Sequence, residues 1–565
     1  MPKAGMDMKE GVIIKWLVNV GDEVKESDAL LEIETDKVTM EIESPTDGIL
    51  LCKYFDDGAT VPVVTVIGYV GEAGEEVPDG PTTAGVGQNV KNAQANAVKT
   101  APESPAGKSA HEYDVAVIGG GPAGYVAAIK ASQLGGKVVL FEKDTVGGTC
   151  LNRGCIPTKT YLKTAEQLIH IKSANSRGII VESNNVGIDM KKVHDYKQKV
   201  VKQLTGGIAG LLKSRKVEVV KGTATITGEH SVECAGKSYA AVNIILCGGS
   251  KAGVIPIPGV EHDKVLTSDT MLDVTKVPKR LTVIGGGVIG CEIATAFASF
   301  GSKVTVVELM DRVVPMMDEE VSAAIVKSME EMGIKISCGI KVEKIEDDKG
   351  LPVVCISGGE KIKADTVLLS IGRNADSECL GALADEITTE NGKVIVDEAC
   401  RTNFKNIYAC GDLTTVSTLA HSAFKMGEVA AANAMGHEEK VDLKNVPACL
   451  YTIPEAASVG LTEEQAAKEG EILVGKFPFT ANGRALASGE AHGFVKVVVD
   501  KKIGEILGVH MVGAIATEMI AEAKVLMDAE VTIYEAAEMI YAHPTYSEAL
   551  VEAFNDVLDK CIHLP

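Results

Sequence analysis

Two cysteines stand four residues apart in Gly147-Gly148-Thr149-Cys150-Leu151-Asn152-Arg153-Gly154-Cys155-Ile156-Pro157. That spacing permits a small disulfide loop, and Pro157 suits the first turn of a following helix. Both sulfurs are then expected near a helix N-terminus, where the dipole and free N–H groups favour thiolate. Alone, such a pair is more readily structural than catalytic. Its neighbourhood changes the reading. Just upstream, Gly119-Gly120-Gly121-Pro122-Ala123-Gly124 fits G-x-G-x-x-G between an apolar strand over 113–118 and a helix reaching about 134. Gly119 allows the tight turn, Gly121 lets backbone approach a pyrophosphate, and Gly124 lets the helix pack on the strand. The next strand ends on Glu142, placed to accept from ribose hydroxyls. A thiol pair beside such a cradle reads as a redox disulfide, and its chemistry is thiol–disulfide exchange.

The device recurs. A strand over 280–284 runs into Gly285-Gly286-Gly287-Val288-Ile289-Gly290, a helix to about 300, and a second strand ending near Glu308. A carboxylate there suits a free 2′-hydroxyl and repels a 2′-phosphate, which favours NAD over NADP; Arg312 softens that preference without reversing it. Two cradles suggest a bound flavin and an exchanging nicotinamide. The competing reading, that one cradle is a relic that only packs, is left open by the glycines alone.

The elements that must position these residues follow from the rest of the chain. Its 565 residues suffice for several domains, and 45% apolar with 24% charged residues is a globular profile. A net charge of −22 argues against nucleic-acid partners and anionic membranes. The apolar run over 281–300 contains four glycines and Glu292, so a buried strand and helix are expected, not a membrane span. No apolar leader follows Met1-Pro2-Lys3, and most of the 13 cysteines sit singly in apolar runs, which points to the cytoplasm. No metal site is read.

Residues 1–71 contain an echo: Gly11-Val12-Ile13-Ile14 leads to Gly21-Asp22-Glu23-Val24, and Gly48-Ile49-Leu50-Leu51 leads to Gly58-Ala59-Thr60-Val61. Two similar half-sheets make a small all-β flattened barrel or sandwich, with Asp36-Lys37 on a hairpin tip between strands over 29–33 and 38–42. Residues 72–112 are a Gly/Pro/Ala-rich linker, roughly 130 Å extended or about 35 Å as a coil. Beyond it the pattern is α/β, and its two βαβ starts imply two dinucleotide-binding domains. Residues 447–565 read as a separate α+β domain.

Residues 113–565 resemble the FAD-containing pyridine nucleotide-disulfide oxidoreductases, and within them the dihydrolipoyl dehydrogenases. Residues 1–71 resemble lipoyl domains through Glu34-Thr35-Asp36-Lys37-Val38. The resemblance implies FAD on Gly119, Gly121, Gly124 and Glu142, and NAD on Gly285, Gly287, Gly290 and Glu308, in Rossmann-like domains divided as 113–255 for FAD, 256–385 for NAD and 386–446 returning to FAD. It puts Asp412, within Thr402-Asn403-Phe404-Lys405-Asn406-Ile407-Tyr408-Ala409-Cys410-Gly411-Asp412, on the flavin's ribityl chain. Lys159 matches the lysine near the flavin, with Glu292 as its ion-pair partner. Cys155 becomes the thiol nearer the flavin and Cys150 the interchange thiol. His543, in Ala542-His543-Pro544-Thr545-Tyr546-Ser547-Glu548, becomes the base, held by Glu548 and serving the disulfide of the other subunit of a homodimer. Lys37 becomes the lipoylated residue.

The implied activity is oxidation of protein-bound dihydrolipoyl groups with reduction of NAD. The implied partner is the lipoyl-bearing acyltransferase of a 2-oxo acid or acetoin dehydrogenase complex. Two departures are Cys247-Gly248-Gly249, where the family often has A-T-G, and Tyr541, where a His is common. Glutathione or mercuric reductases are disfavoured by Glu308, by the lipoyl-type domain and by a tail with one cysteine. A non-catalytic lipoate carrier would need none of Cys150, Cys155, His543 and Glu548.

Overall fold

The computed structural model describes residues 10–25, 28–34, 39–44, 46–62, 65–71, 75, 77, 111–181 and 186–565. It forms two compact units, Met1–Lys108 and Ser109–Pro565.

In the first unit the strands build two small sheets. One has the order Thr39–Glu43, Ala29–Glu34, Glu10–Trp16, Thr60–Pro62; the other Glu23–Val24, Gly48–Lys53, Gly68–Gly71. The repeat in the sequence reappears as equivalent turns, where Gly21 and Gly58 adopt φ of +97° and +85°. The core is Ile13, Trp16, Val24, Leu30, Leu31, Ile33, Leu50 and Val61, with the Trp16 indole N–H donating to the Phe55 carbonyl at 3.0 Å. Glu34 pairs with Thr39 across the hairpin. The tip, and with it Lys37, lies outside the described residues, as does nearly all of the linker.

The second unit holds three main sheets. In the first, Glu218–Lys221, Val138–Glu142, Tyr113–Ile118 and Lys237–Leu246 run parallel, and the chain returns much later to add Ile407–Ala409 beside Ile244–Leu246. In the second, Val265–Thr267, Thr366–Leu369, Arg280–Ile284, Lys303–Val307 and Lys335–Ser337 are all parallel. Strands covered on both faces can be apolar throughout, as Tyr113–Ile118 and Arg280–Ile284 nearly are. The long apolar run is broken at Gly285 into the strand Arg280–Ile284 and the helix Val288–Ser299, which buries Glu292 with its alanines. Among the described residues, no helix is long and apolar enough to cross a membrane.

The third sheet is antiparallel, in the order Ala448–Leu450, Glu455–Gly460, Ile506–Gly513, Phe494–Asp500, Ile472–Pro478. The helix Glu548–Val557 packs closely on its edge: a Cβ on Gly475 would stand 2.4 Å from the Ala553 carbonyl oxygen. Two features are absent from the sequence reading, the 25-residue helix Met190–Ser214 and the antiparallel sheet Val342–Asp347, Pro352–Ile356, Lys361–Lys363.

A buried ion cluster ties the second sheet to the third. Asp318 caps the helix Glu319–Glu331 and accepts from Lys496 Nζ at 3.0 and 3.1 Å; both side chains are 2% exposed. The Glu463 carboxylate completes it, 2.6 Å from the same ammonium. Removing Asp318 takes away, among the described residues, the only fully buried partner of Lys496 and leaves its ammonium to the half-exposed Glu463 and Glu320. Asp318→Ala is therefore expected to cost about 3–5 kcal/mol, read as a lower urea midpoint, with Asp318→Asn, which keeps a cap, falling between it and the parent.

Candidate active site

The two cradles are built on one plan. Gly119 and Gly285 turn with φ of +100° and +106°, conformations that L side chains rarely adopt. Added Cβ atoms there would lie 2.1 Å from the Cys247 carbonyl oxygen and 2.2 Å from that of Ser370. At Gly124 and Gly290, Cβ atoms would strike the carbonyl oxygens of Gly119 and Gly285 at 1.7 and 2.0 Å. The middle glycines differ: Gly121 would meet only Gly148 at 3.8 Å, and Gly287 nothing within 4 Å. Backbone fills the first and last positions, and open space remains where a pyrophosphate would approach. The acids are also fixed alike. Glu142 accepts from the Gly120 and Asp144 N–H groups at 2.8 and 2.7 Å, and Glu308 from those of Gly286 and Met310 at 2.5 and 2.7 Å. Each carboxylate keeps lone pairs for ribose hydroxyls. Both cradles thus fit a dinucleotide. Arg312 is drawn away to Glu464, at 3.2 and 3.3 Å.

The thiols do not share a helix start. Cys150 lies within a short helix, Gly148–Arg153, while Cys155 is the first residue of Cys155–Ser173, with Gly154 between. Each cysteine lies in the first turn of a helix, as expected near a helix N-terminus, but of two different helices, because the chain from Gly148 to Arg153 coils into a short helix of its own. The 19-residue helix therefore favours thiolate at Cys155. The two side chains hydrogen-bond, and this bond is the main reason their acidities part. It lowers Cys155 to about 7, against the effect of burial and with help from Lys159; it raises Cys150, and burial raises it further. The pair thus reads as a thiol donating to a thiolate.

Beside it, Lys159 Nζ binds both oxygens of Glu292 at 2.9 and 2.8 Å. The Glu292 side chain is 3% exposed and also accepts from the Tyr451 N–H at 3.0 Å. The Lys159 ammonium lies 4.4 Å from the Tyr451 ring centroid. Tyr451 was not anticipated, since it contributes through a main-chain donor that any residue but proline has.

Asp412 lies in the turn Gly411–Leu413 and accepts from the Ser250 hydroxyl, which Arg373 Nε holds at 2.8 Å. Burial pushes the Asp412 carboxyl up, against Ser250 and the nearby cations Arg373 and Lys393. Ser250 and Arg373 are further residues that the sequence did not single out. Cys247, Cys400 and Cys410 are buried together, and the Cys410 thiol donates to the Met426 carbonyl at 3.4 Å. The Cys247 departure is accommodated as core beneath the first cradle.

His543 stands apart. Its Nδ1 donates to Glu548 Oε1 at 2.7 Å, and the ring is 78% exposed. Among the described residues of one protomer, no hydrogen bond or ion pair joins it to either thiol. Burial alone would raise Glu548, but the Thr545 N–H and His543 hold it below the usual carboxylate range. Elsewhere, Glu166, His170 and Glu490 bring one ligand atom each within 4.8 Å of one another. Lys163 and Tyr546 already partner those carboxylates.

Gly124→Ala should prevent flavin retention, read as loss of visible absorbance per protein. Gly290→Ala should keep the flavin and lose nicotinamide-dependent turnover. In the reduced protein, alkylation of Cys155 should persist down to pH about 7 and slow below it, because its greater acidity keeps the thiolate there. A rate that falls off near pH 9 would count against this.

Residues 113–427 match the profile of the pyridine nucleotide-disulphide oxidoreductases, and residues 446–554 that of their dimerisation domain. Residues 1–70 match the biotin/lipoyl profile described as biotin-requiring enzyme. A dihydrolipoyl dehydrogenase of Bacillus subtilis (strain 168) is 38% identical over 456 residues, covering 80% of this chain and 99% of the relative. One from Geobacillus stearothermophilus is 40% identical over 468 residues, covering 81% and 99%. Among solved structures, LpdA from Mycobacterium tuberculosis superposes with a TM-score of 0.72 at 26% identity, covering 78% of this chain and 99% of that one. The HOCl-induced flavoprotein disulfide reductase RclA from Escherichia coli gives 0.71 at 29% identity, with the same coverage. The chain belongs to the pyridine nucleotide-disulphide oxidoreductases, within them to the dihydrolipoyl dehydrogenases, and carries a biotin/lipoyl-type domain ahead of its catalytic portion.

Proposed function

We propose that the protein oxidises protein-bound dihydrolipoyl groups at the Cys150–Cys155 disulfide and reduces NAD, as a component of a 2-oxo acid or acetoin dehydrogenase complex. The observation that carries this reading is the unequal thiol pair. Cys155 is stabilised as thiolate by its partner and by Lys159, so it is the better leaving sulfur when a substrate thiolate attacks Cys150. Cys150, held as a thiol in the reduced pair, is the sulfur that exchanges.

FAD, held by Gly119, Gly121, Gly124, Glu142 and Asp412, supplies two-electron transfer between the thiol pair and the nicotinamide. NAD is held by Gly285, Gly287, Gly290 and Glu308, whose carboxylate disfavours a 2′-phosphate. Lys159, fixed by Glu292, presents a cation beside the thiols. His543 takes the proton of the incoming thiol, and Glu548 fixes its tautomer so that Nε2 is the accepting atom. Its exposure, and the lack of a bond to the thiols of its own chain, support a role at Cys150 of the partner in a homodimer. Lys37 carries lipoate, and the 72–112 linker keeps that arm at roughly millimolar effective concentration near catalytic sites.

The yellow protein should form NADH from dihydrolipoamide with NAD and far more slowly with NADP. Cys150→Ser should abolish this, and His543→Gln should lower it roughly 10²–10⁴-fold. A flavin-loaded protein inactive with dihydrolipoamide would overturn the substrate assignment. Lipoate found by peptide mass spectrometry at a residue other than Lys37 would overturn the carrier assignment.

A further inference from the structure

The helix Glu548–Val557 carries two glutamates one turn apart, and each holds a histidine ring. Glu548 Oε1 accepts from His543 Nδ1 at 2.7 Å; Glu552 Oε1 accepts from His563 Nδ1 at 2.6 Å. A carboxylate only accepts, so both rings carry a proton on Nδ1 and keep Nε2 for other work. The second oxygens are used alike. Glu548 Oε2 takes the Thr545 N–H at 2.7 Å, and Glu552 Oε2 the Cys561 thiol at 3.0 Å. The anchors are mostly buried, at 26% and 18% side-chain exposure, while the rings are 78% and 67% exposed. Neither Nε2 makes a hydrogen bond among the described residues.

One helical turn rises ~5.4 Å, so the rings hang from neighbouring anchors. His563 is also near enough to Glu548 to help His543 and Thr545 hold that carboxyl down against burial. Cys561 is pushed up to about 11 by burial and by Glu552, which keeps it a proton donor to the carboxylate and not a nucleophile.

Resting on the dithiol reaction proposed above, we propose that His563, positioned by Glu552, is a second proton-transfer group, serving the substrate thiol that His543 does not. A dihydrolipoyl group has two thiols, and ring closure needs each deprotonated in turn. The first sulfur bonds Cys150, the Cys150–Cys155 bond breaks, and its electron pair stays on Cys155. The second sulfur then bonds the first; the bond to Cys150 breaks, and Cys150 leaves with the electron pair and one proton. Two protons have left the substrate, one to each imidazole; one imidazolium passes its proton to the departing Cys150 and the other keeps its own. When the disulfide re-forms, two electrons and one proton equivalent end as hydride on NAD, and the remaining proton goes to water. A lone base must handle both thiol protons in succession; two imidazoles anchored a turn apart take one each.

The test uses the full-length flavoprotein. His563→Gln and Glu552→Gln should each lower kcat for dihydrolipoamide oxidation about tenfold, less than removal of a principal base, and enlarge the solvent deuterium isotope effect on kcat. Cys561→Ala should stay close to the parent, and added imidazole should restore part of the rate of His563→Ala. NADH oxidation by an artificial acceptor that bypasses the thiols should be unchanged throughout. Unaltered kcat and isotope effect in both substitutions would overturn the proposal, as would equal loss of the dithiol and artificial-acceptor activities, which marks a structural role. A parent protein active with the artificial acceptor but inactive with dihydrolipoamide would instead overturn the functional reading itself, and the second proton-transfer role with it.

Discussion

A carboxylate in the protein interior must be paired, and Glu292 is the carboxylate on which this catalytic centre depends. It sits inside the helix that follows the second cradle and is all but shut off from water. Its two oxygens are met by the Lys159 ammonium from the redox helix and by the Tyr451 N–H from the strand region leading into the third sheet. One charge therefore fastens the thiols' helix to the nicotinamide-side domain and to the C-terminal domain. The same ammonium is what lowers Cys155 beyond the effect of its neighbouring thiol. The ion pair thus joins the architecture to the thiol chemistry, where Lys159 adds to the larger effect of the neighbouring Cys150 and Glu292 opposes it.

Around that node the chain uses the same cradle twice. In both, a positive-φ glycine turns against a carbonyl from the adjoining strand's end, and a final glycine lets the helix touch the turn. In both, a terminal glutamate is locked by two main-chain N–H groups before any ligand arrives. Pre-fixed acceptors lose little freedom on binding. What distinguishes the two sites is their surroundings. The first is flanked by the thiols and by Asp412 with its Ser250–Arg373 support, and the second by Arg312 committed to Glu464.

The parts legible in the sequence are those where local backbone geometry dictates residue type. Gly119, Gly124, Gly285 and Gly290 admit no side chain, so the cradles and their strands could be placed from spacing alone. His543 and Glu548 lie within one turn-and-helix segment, and resemblance was enough to pair them. The parts that were not legible depend on long-range partners or on main-chain donors. Tyr451 contributes an N–H, Ser250 reaches Asp412 across 162 positions, and Glu552 meets His563 only because the tail folds back. The separate helix under Cys150 was missed because a six-residue segment between two glycine-containing turns carries no periodicity to read.

The central claim is that electrons enter from a dithiol through Cys150 and Cys155 and through no other cysteine of the 13. It is tested most directly by alkylating the anaerobic protein before and after one equivalent of dihydrolipoamide, without NAD, and mapping the labels by peptide mass spectrometry. The account predicts new labels on Cys150 and Cys155 alone, with Cys247, Cys400 and Cys410 untouched in both samples. Labels appearing at other cysteines, or no change on adding the dithiol, would contradict it.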